Sequence, residues 1–340
     1  MYRNFMTAGA AALLAAAIAL PPVAPARAAD APKVVVALPG VPPIYLTVFA
    51  YVADKQGFFK KYNANVELRQ FDSGAAGSRA VISGDVDLAL VPTALTINQV
   101  ANANANVVGI YGLPNPDWAI GTTNPQKATC ADIKGQQVGV DTPGGARSLA
   151  LKDMLVGGCH LTINDVQQIP LGSNTAAAMI AGQISYGVLH LNDVPVIEEQ
   201  GKKVKTVINL KDAVPDSHYD LLEVRRDRLA EKRDAIVRTV AALVDAARYM
   251  ADPKNADTVA QIGTITGESA AISKEALKLF NGIGFWEIHD DGLDQKKIEA
   301  VIEDQVKVGN IKEGKKPPTY DHLVDRTVWH DANAMIGGGH

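Results

Sequence analysis

Residues 33–40, KVVVALPG, open the stretch that decides the fold. Lys33 to Leu38 is a short β-branched run ended by Pro39-Gly40, which reads as a strand. Thr47 to Gln56 then reads as a helix stopped by Gly57. Val66 to Phe71 alternates as a strand, Gly77 to Ser83 is a short helix, and Val86 to Val91 is a buried strand. Ala94 to Ala101 is helical and Asn106 to Tyr111 extended. This β-α-β-α-β rhythm predicts a mostly parallel sheet covered by helices.

The rhythm restarts after Pro125. Cys130 to Ile133 leads into a strand at Gln137 to Val140, a turn at Thr142-Pro143-Gly144-Gly145 and a helix at Ala146 to Leu155. Strands at Val166–Pro170, Tyr186–Leu189 and Val204–Asn209 alternate with helices at Thr175–Ala181 and Val194–Gln200. From Leu229 the chain turns helical, with apolar residues at helical spacing in Lys232–Met250, Ser273–Phe280 and Gln295–Val308. The Gly-rich end, Ile336 to His340, is expected to fray. The simplest architecture is two α/β lobes with a cleft between them. Lobe 1 is expected from residues 29–122 plus 223–340 and lobe 2 from 123–222, with crossings near Gly121–Asn124 and Leu221–Val224. In such folds ligands sit outside the carboxyl ends of strands and at domain interfaces.

The composition fits this class. With 340 residues, 47% hydrophobic and 21% charged, the chain has ample core for two lobes, which excludes a disordered or collagen-like chain. Net charge is −4 and no basic run is long enough to track phosphates, so nucleic-acid binding is not expected. Residues 1–28 read as a secretory signal: Arg3 supplies the positive start, Ala8 to Leu20 the apolar stretch, and Ala26-Arg27-Ala28 the small-x-small cleavage pattern. The apolar run is too short to span a membrane, and nothing later approaches the ~20 residues needed. The expected location is the periplasm. An exported chain with two cysteines, Cys130 and Cys159, is expected to pair them, two separate buried thiols being the alternative.

Four stretches then stand in a familiar order. Ala53-Asp-Lys-Gln-Gly-Phe-Phe-Lys-Lys-Tyr62 carries an A-x-x-x-G-F-F pattern. Ser83-Gly-Asp-Val-Asp87, Ile133-Lys-Gly-Gln-Gln-Val-Gly-Val140 and Ala181-Gly-Gln-Ile184 follow. Together they resemble the sulfonate/nitrate/taurine-type solute-binding proteins, the family that also includes thiamine-pyrimidine-precursor binders, over roughly Lys33 to Asn209. The resemblance implies a type II, two-lobed periplasmic binding protein fold. It also implies a monomeric, non-enzymatic subunit that delivers a small ligand to the transmembrane subunits of an ABC permease. It does not fix the ligand, and no cofactor or metal is expected.

Candidate ligand residues lie in the turns that follow strands. Asp141 to Ser148 joins a strand to a helix. In the turn from Thr142, Gly144 and Gly145 permit close backbone approach, the helix start offers N–H groups, and Arg147 could add a fork for a carboxylate or sulfonate. The other reading is a plain Gly-rich turn with a solvent-facing Arg. Ser73-Gly74 and Thr93 end first-lobe strands, and Ser173-Asn174 could supply donors from the second lobe. Each serves equally well as a helix cap. His190 and Asp193 lie where a strand exits toward the cleft, and Asp193 faces either the ligand or Arg147. Pro42 and Tyr45 follow the first strand. Tyr45, Trp118, Tyr219 and Trp286 are candidate flat walls or, individually, core. These residues point to a small organic anion, a sulfonate or an aliphatic or aromatic carboxylate, with a neutral pyrimidine-type precursor as the alternative.

Enzymatic readings find little support. The seven His include no H-E-x-x-H and no pair at ligand spacing, and no G-x-S-x-G elbow is present. A pyrimidine-synthesising relative would carry clustered cysteines, which this chain lacks. A ligand sensor would use the same bilobed module.

Overall fold

A computed structural model of the chain describes Met1 and residues 31–337; the rest of the stretch expected to be a secretory signal, and residues 338–340, lie outside the described residues. Among the described residues ten strands build two sheets. In chain order they are β1 (Val34–Pro39), β2 (Val66–Phe71), β3 (Leu88–Pro92), β4 (Val107–Leu113), β5 (Trp118–Thr122), β6 (Gln137–Val140), β7 (Gln167–Pro170), β8 (Tyr186–His190), β9 (Lys205–Asn209) and β10 (Asp220–Arg225). The first sheet has the order β2-β1-β3-β10-β4 and the second β7-β6-β8-β5-β9. In the first, β1 runs parallel to β2 and β3, while β10 is antiparallel to β3 and β4. The second repeats the plan, with β5 as the antiparallel strand between β8 and β9. The two sheets, each flanked by helices, form the two lobes.

The sheets correct the expected boundaries. Gly121 and Thr122 do not cross between lobes; they pair with Gly187 and Tyr186 inside the second sheet. Leu221 to Val224 pair with both β3 and β4 inside the first. The chain instead crosses at residues 114–117 and returns at 214–219, so β5 belongs to the second lobe and β10 to the first. The physical reason is strand exchange. Each crossing leads straight into an antiparallel strand of the sheet it reaches.

The first lobe is thickened by the helical tail. The long helix Arg226–Ala251 buries Ile236, Val240, Leu243, Val244 and Ala247, the expected stripe. It packs on Val48–Lys55 and on a helix absent from the sequence reading, Thr327–Gly337, which includes Ile336. Tyr45, Phe280, Phe285 and Trp286 form an aromatic cluster, with Tyr45 to Phe280 ring centroids 5.3 Å apart and Phe280 to Phe285 4.7 Å apart. Tight backbone approaches fix two glycines. A Cβ at Gly74 would lie 2.8 Å from Pro92 Cδ, and one at Gly112 would collide with the Gly292 carbonyl oxygen.

One carboxyl is buried within the first sheet. Glu223 of β10 accepts from the Ser78 hydroxyl at 2.5 Å and from Thr96 at 2.6 Å. Burial pushes its pKa up to about 7, against the two hydroxyl donors, which pull it down. In the second lobe Cys130 and Cys159 form the expected disulfide, with their Cα atoms 5.2 Å apart. No helix among the described residues is long and apolar enough to cross a membrane.

Candidate functional site

The cleft lies where β3, β5, β6, β8 and both crossings come together. Strand β3 ends at Pro92, β6 at Val140 and β8 at His190, and β5 runs antiparallel so that its first residue, Trp118, stands opposite His190. Between the lobes is a cavity of about 70 Å³. Pro92, Ala94 and Val301 line it from the first lobe, Trp118, Ala146 and Leu149 from the second, and Pro116 and Tyr219 from the two crossings.

Trp118 and Tyr219 are the two expected aromatics that reach this cavity. The Trp118 ring lies 3.7 Å from the His190 ring, 6.1 Å from Tyr219 and 5.4 Å from the Arg147 guanidinium. Tyr219 continues into Phe285, 5.8 Å away, so aromatic rings run from the first-lobe core to the second-lobe wall. Tyr45 and Trp286 sit at the core end of that chain. The Tyr45 hydroxyl donates to the Ser273 carbonyl at 2.6 Å and the Trp286 indole N–H to the Leu46 carbonyl at 3.2 Å. Neither lines the cavity. Pro42 is exposed, in a cis peptide with Val41, and does not line it either.

The turn read as an anion cradle is already filled by its own chain. The Asp141 carboxylate accepts from the backbone N–H groups of Thr142 (2.7 Å), Arg147 (3.3 Å) and Ser148 (3.4 Å). The Ser148 hydroxyl accepts from Gly144 N–H at 3.1 Å. The helix Ala146–Gly157 therefore starts against a built-in carboxylate, which satisfies the donors that an anion would have used. The Gly145 backbone sits against that carboxylate, leaving no room for a Cβ. Arg147 is buried rather than solvent-facing. It donates to the Val188 carbonyl at 3.0 Å and pairs with Asp193 at 3.5 Å, and Asp193 in turn accepts from His190 N–H at 2.9 Å. Arg147 and Asp193 thus face each other.

The remaining first-lobe candidates have local roles. Ser73 caps its helix by accepting from Ala76 N–H at 3.2 Å, and Gly74 is required beside Pro92. Thr93 holds the return crossing: its N–H donates to the Tyr219 carbonyl at 2.8 Å and its hydroxyl to His218 Nδ1 at 2.7 Å. His218 Nε2–H then donates to the Gly292 carbonyl at 2.6 Å. Burial lowers the His218 pKa to about 4, so the ring is neutral and this tautomer is the one the two partners require. Ser173 and Asn174 are exposed, and Asn174 makes no side-chain cap.

Two acids missing from the site residues expected above stand beside the aromatic wall. Asp117, at the end of the first crossing, meets His190 Nδ1 at 2.8 Å, while its Oδ1 is buried without a partner. Asp220, the first residue of β10, is also buried with Oδ1 unpartnered. Burial pushes Asp220 well above the usual carboxylate range, and the Asp117 charge adds to the shift. A third acid, Asp153, lines the cavity from the second lobe and meets Asp304 from the first. Asp153 is half-buried and shares the cavity-facing side of its helix with Ala146, Leu149 and Ala150, and an acid at helical spacing among those apolar residues was the available signal.

A type II two-lobed binding fold with its cleft at the strand ends is thus in place. The chain belongs to the NMT1/THI5-like family, whose model matches residues 47–256. Among solved structures, it is similar to a protein of Bordetella bronchiseptica RB50, with TM-score 0.74, 19% identity, and 90% of this chain and 98% of that one covered. It is also similar to the alkanesulfonate-binding protein SsuA of Xanthomonas axonopodis pv. citri bound to MOPS, with TM-score 0.70, 15% identity and coverage of 88% and 100%. The periplasmic nitrate-binding protein NrtA of Synechocystis PCC 6803 follows, with TM-score 0.67, 14% identity and coverage of 90% and 89%. At these identities the likeness is one of fold. No curated protein matches the chain by sequence.

Proposed function

We propose that this protein is the periplasmic solute-binding subunit of an ABC importer, which shuts two lobes on a small ligand and hands it to a membrane permease. The observation that carries the reading is the interlobe cavity, walled by Trp118 and Tyr219 and contacted by both lobes and both crossings. A ligand that touches both lobes favours the closed form by its differential affinity. The export signal, the family, and the SsuA and NrtA neighbours support the same reading and a periplasmic location.

Two ligand chemistries follow from specific contacts. Asp117 and Asp220 adjoin Trp118 and Tyr219 in the chain, outside the cavity lining, and each keeps a buried, unpartnered Oδ1, which favours a flat, neutral, hydrogen-bonding ligand such as a pyrimidine-type precursor. Buried Arg147 favours an organic anion, a carboxylate or sulfonate, that displaces Asp193 from the guanidinium. A thermal-shift screen of the chain from Ala29, confirmed by calorimetry, separates them with pyrimidines, sulfonates, nitrate, and aromatic and aliphatic carboxylates. For a bound anion, Arg147→Ala is to weaken affinity about tenfold or more, a charge-assisted bond being worth roughly 1.5–3 kcal/mol. For a neutral heterocycle, Asp220→Asn is the variant that weakens it. Absence of any saturable shift across the panel counts against the transport reading.

A further inference from the structure

Asp153 and Asp304 come from opposite lobes. Asp153 lies on the helix Ala146–Gly157, packed on β5, β6 and β8 of the second sheet. Asp304 lies on the helix Gln295–Lys307, packed on the first-lobe helix Thr93–Ala103. Both side chains line the interlobe cavity, and their carboxyls are within hydrogen-bond reach of each other. Two ionised carboxylates cannot bond; a carboxyl–carboxyl hydrogen bond needs a proton between them. We propose that closure of the cleft is coupled to proton uptake: Asp153 and Asp304 share one proton when the lobes are shut and separate as two carboxylates when they open.

The surrounding groups do not relieve the repulsion. Lys152, beside Asp153, spends its ammonium on the Val308 carbonyl at 2.8 Å, a second contact across the same gap. Lys307 lies three residues beyond Asp304, and both lysines favour ionised acids. From the return crossing, Ser217 and neutral His218 line the cavity. Gln305 of the Asp304 helix is held by Asn98 at 2.9 Å. The helix Leu210–Ala213, packed on the Asp153 helix, carries exposed Lys211 and Asp212. Burial and the Asp304 charge outweigh the lysines and raise Asp153 to about 8. Elsewhere, Glu268 feels the charges of Glu199 and Asp193 and is raised chiefly by burial, so it works in the same direction.

The closed form therefore holds one more proton than the open form through neutrality. The closed-to-open ratio falls by up to tenfold per pH unit and levels off above about pH 8. Small-angle scattering of the ligand-free native chain tests this without knowledge of the solute. The expected result is a radius of gyration that rises between pH 5.5 and 9, and rises far less in Asp304→Asn. There the amide donates to Asp153 with no borrowed proton. Asp153→Asn is expected to repeat that result from the other side. A native radius unchanged over the range overturns the proposal. So does an equal rise in both Asn variants, or a rise abolished by Glu268→Gln but not by Asp304→Asn.

Discussion

Trp118 touches His190, Arg147 and the cavity at once, so it couples packing to binding. Trp118→Ala is expected to cost about 3–5 kcal/mol by denaturant unfolding and to abolish ligand binding in calorimetry, whereas Trp118→Phe keeps most of both. His218 makes a sharper case. His218→Ala strands the Thr93 hydroxyl and the Gly292 carbonyl in a buried place, so a loss of about 2–3 kcal/mol is expected by denaturant unfolding. That Trp118 and Tyr219 stand at the cleft was legible because each sits at the end of a crossing, where a strand begins or is about to begin. What they touch was not. That Asp141 would fill the helix start, and that Arg147 would turn toward Asp193, depends on side-chain directions that a linear pattern does not carry.

At the scale of elements, the parallel strands were readable from short β-branched runs between helices. The exchanged strands β5 and β10 were not. Their sequences, WAIGT and DLLEVR, place glycine or acids where a buried strand ordinarily carries apolar residues, and they follow their crossings directly. Glu223 is tolerated in β10 because Ser78 and Thr96 supply hydroxyls from two helices. The close pass of Gly112 against Gly292 predicts that Gly112→Ala overpacks the junction and lowers stability by about 1–3 kcal/mol or more, measured by its denaturation midpoint. The disulfide closes a loop with a sequence separation of 29. Reducing it is expected to cost about 3–4 kcal/mol on chain-entropy grounds, read as a fall in Tm under dithiothreitol.

For the whole molecule, pH acts through several buried groups. Glu223 at about 7, Asp153 at about 8 and Asp220 are all raised in the folded state. Their contribution is complete below the ordinary carboxylate range and is lost as pH climbs through neutrality to about 8. His218 has the opposite sign. Its lowered pKa supports the fold above the ordinary histidine value and loses that support as pH falls to about 4. Three raised acids outweigh one lowered histidine, so Tm is expected to be higher near pH 5 than near pH 8.5. Glu223→Gln is expected to remove up to roughly 3 kcal/mol of that fall, seen as a flatter Tm profile.

The exchange of strands also sets the order in which the molecule can be completed. In the first sheet β4 is joined only through β10, which comes more than a hundred residues later in the chain. The second sheet is assembled wholly from residues 118–209. A chain threaded from its N-terminus can therefore finish its middle before its beginning. The first lobe waits with an open sheet edge until the second has formed and the returning segment closes it.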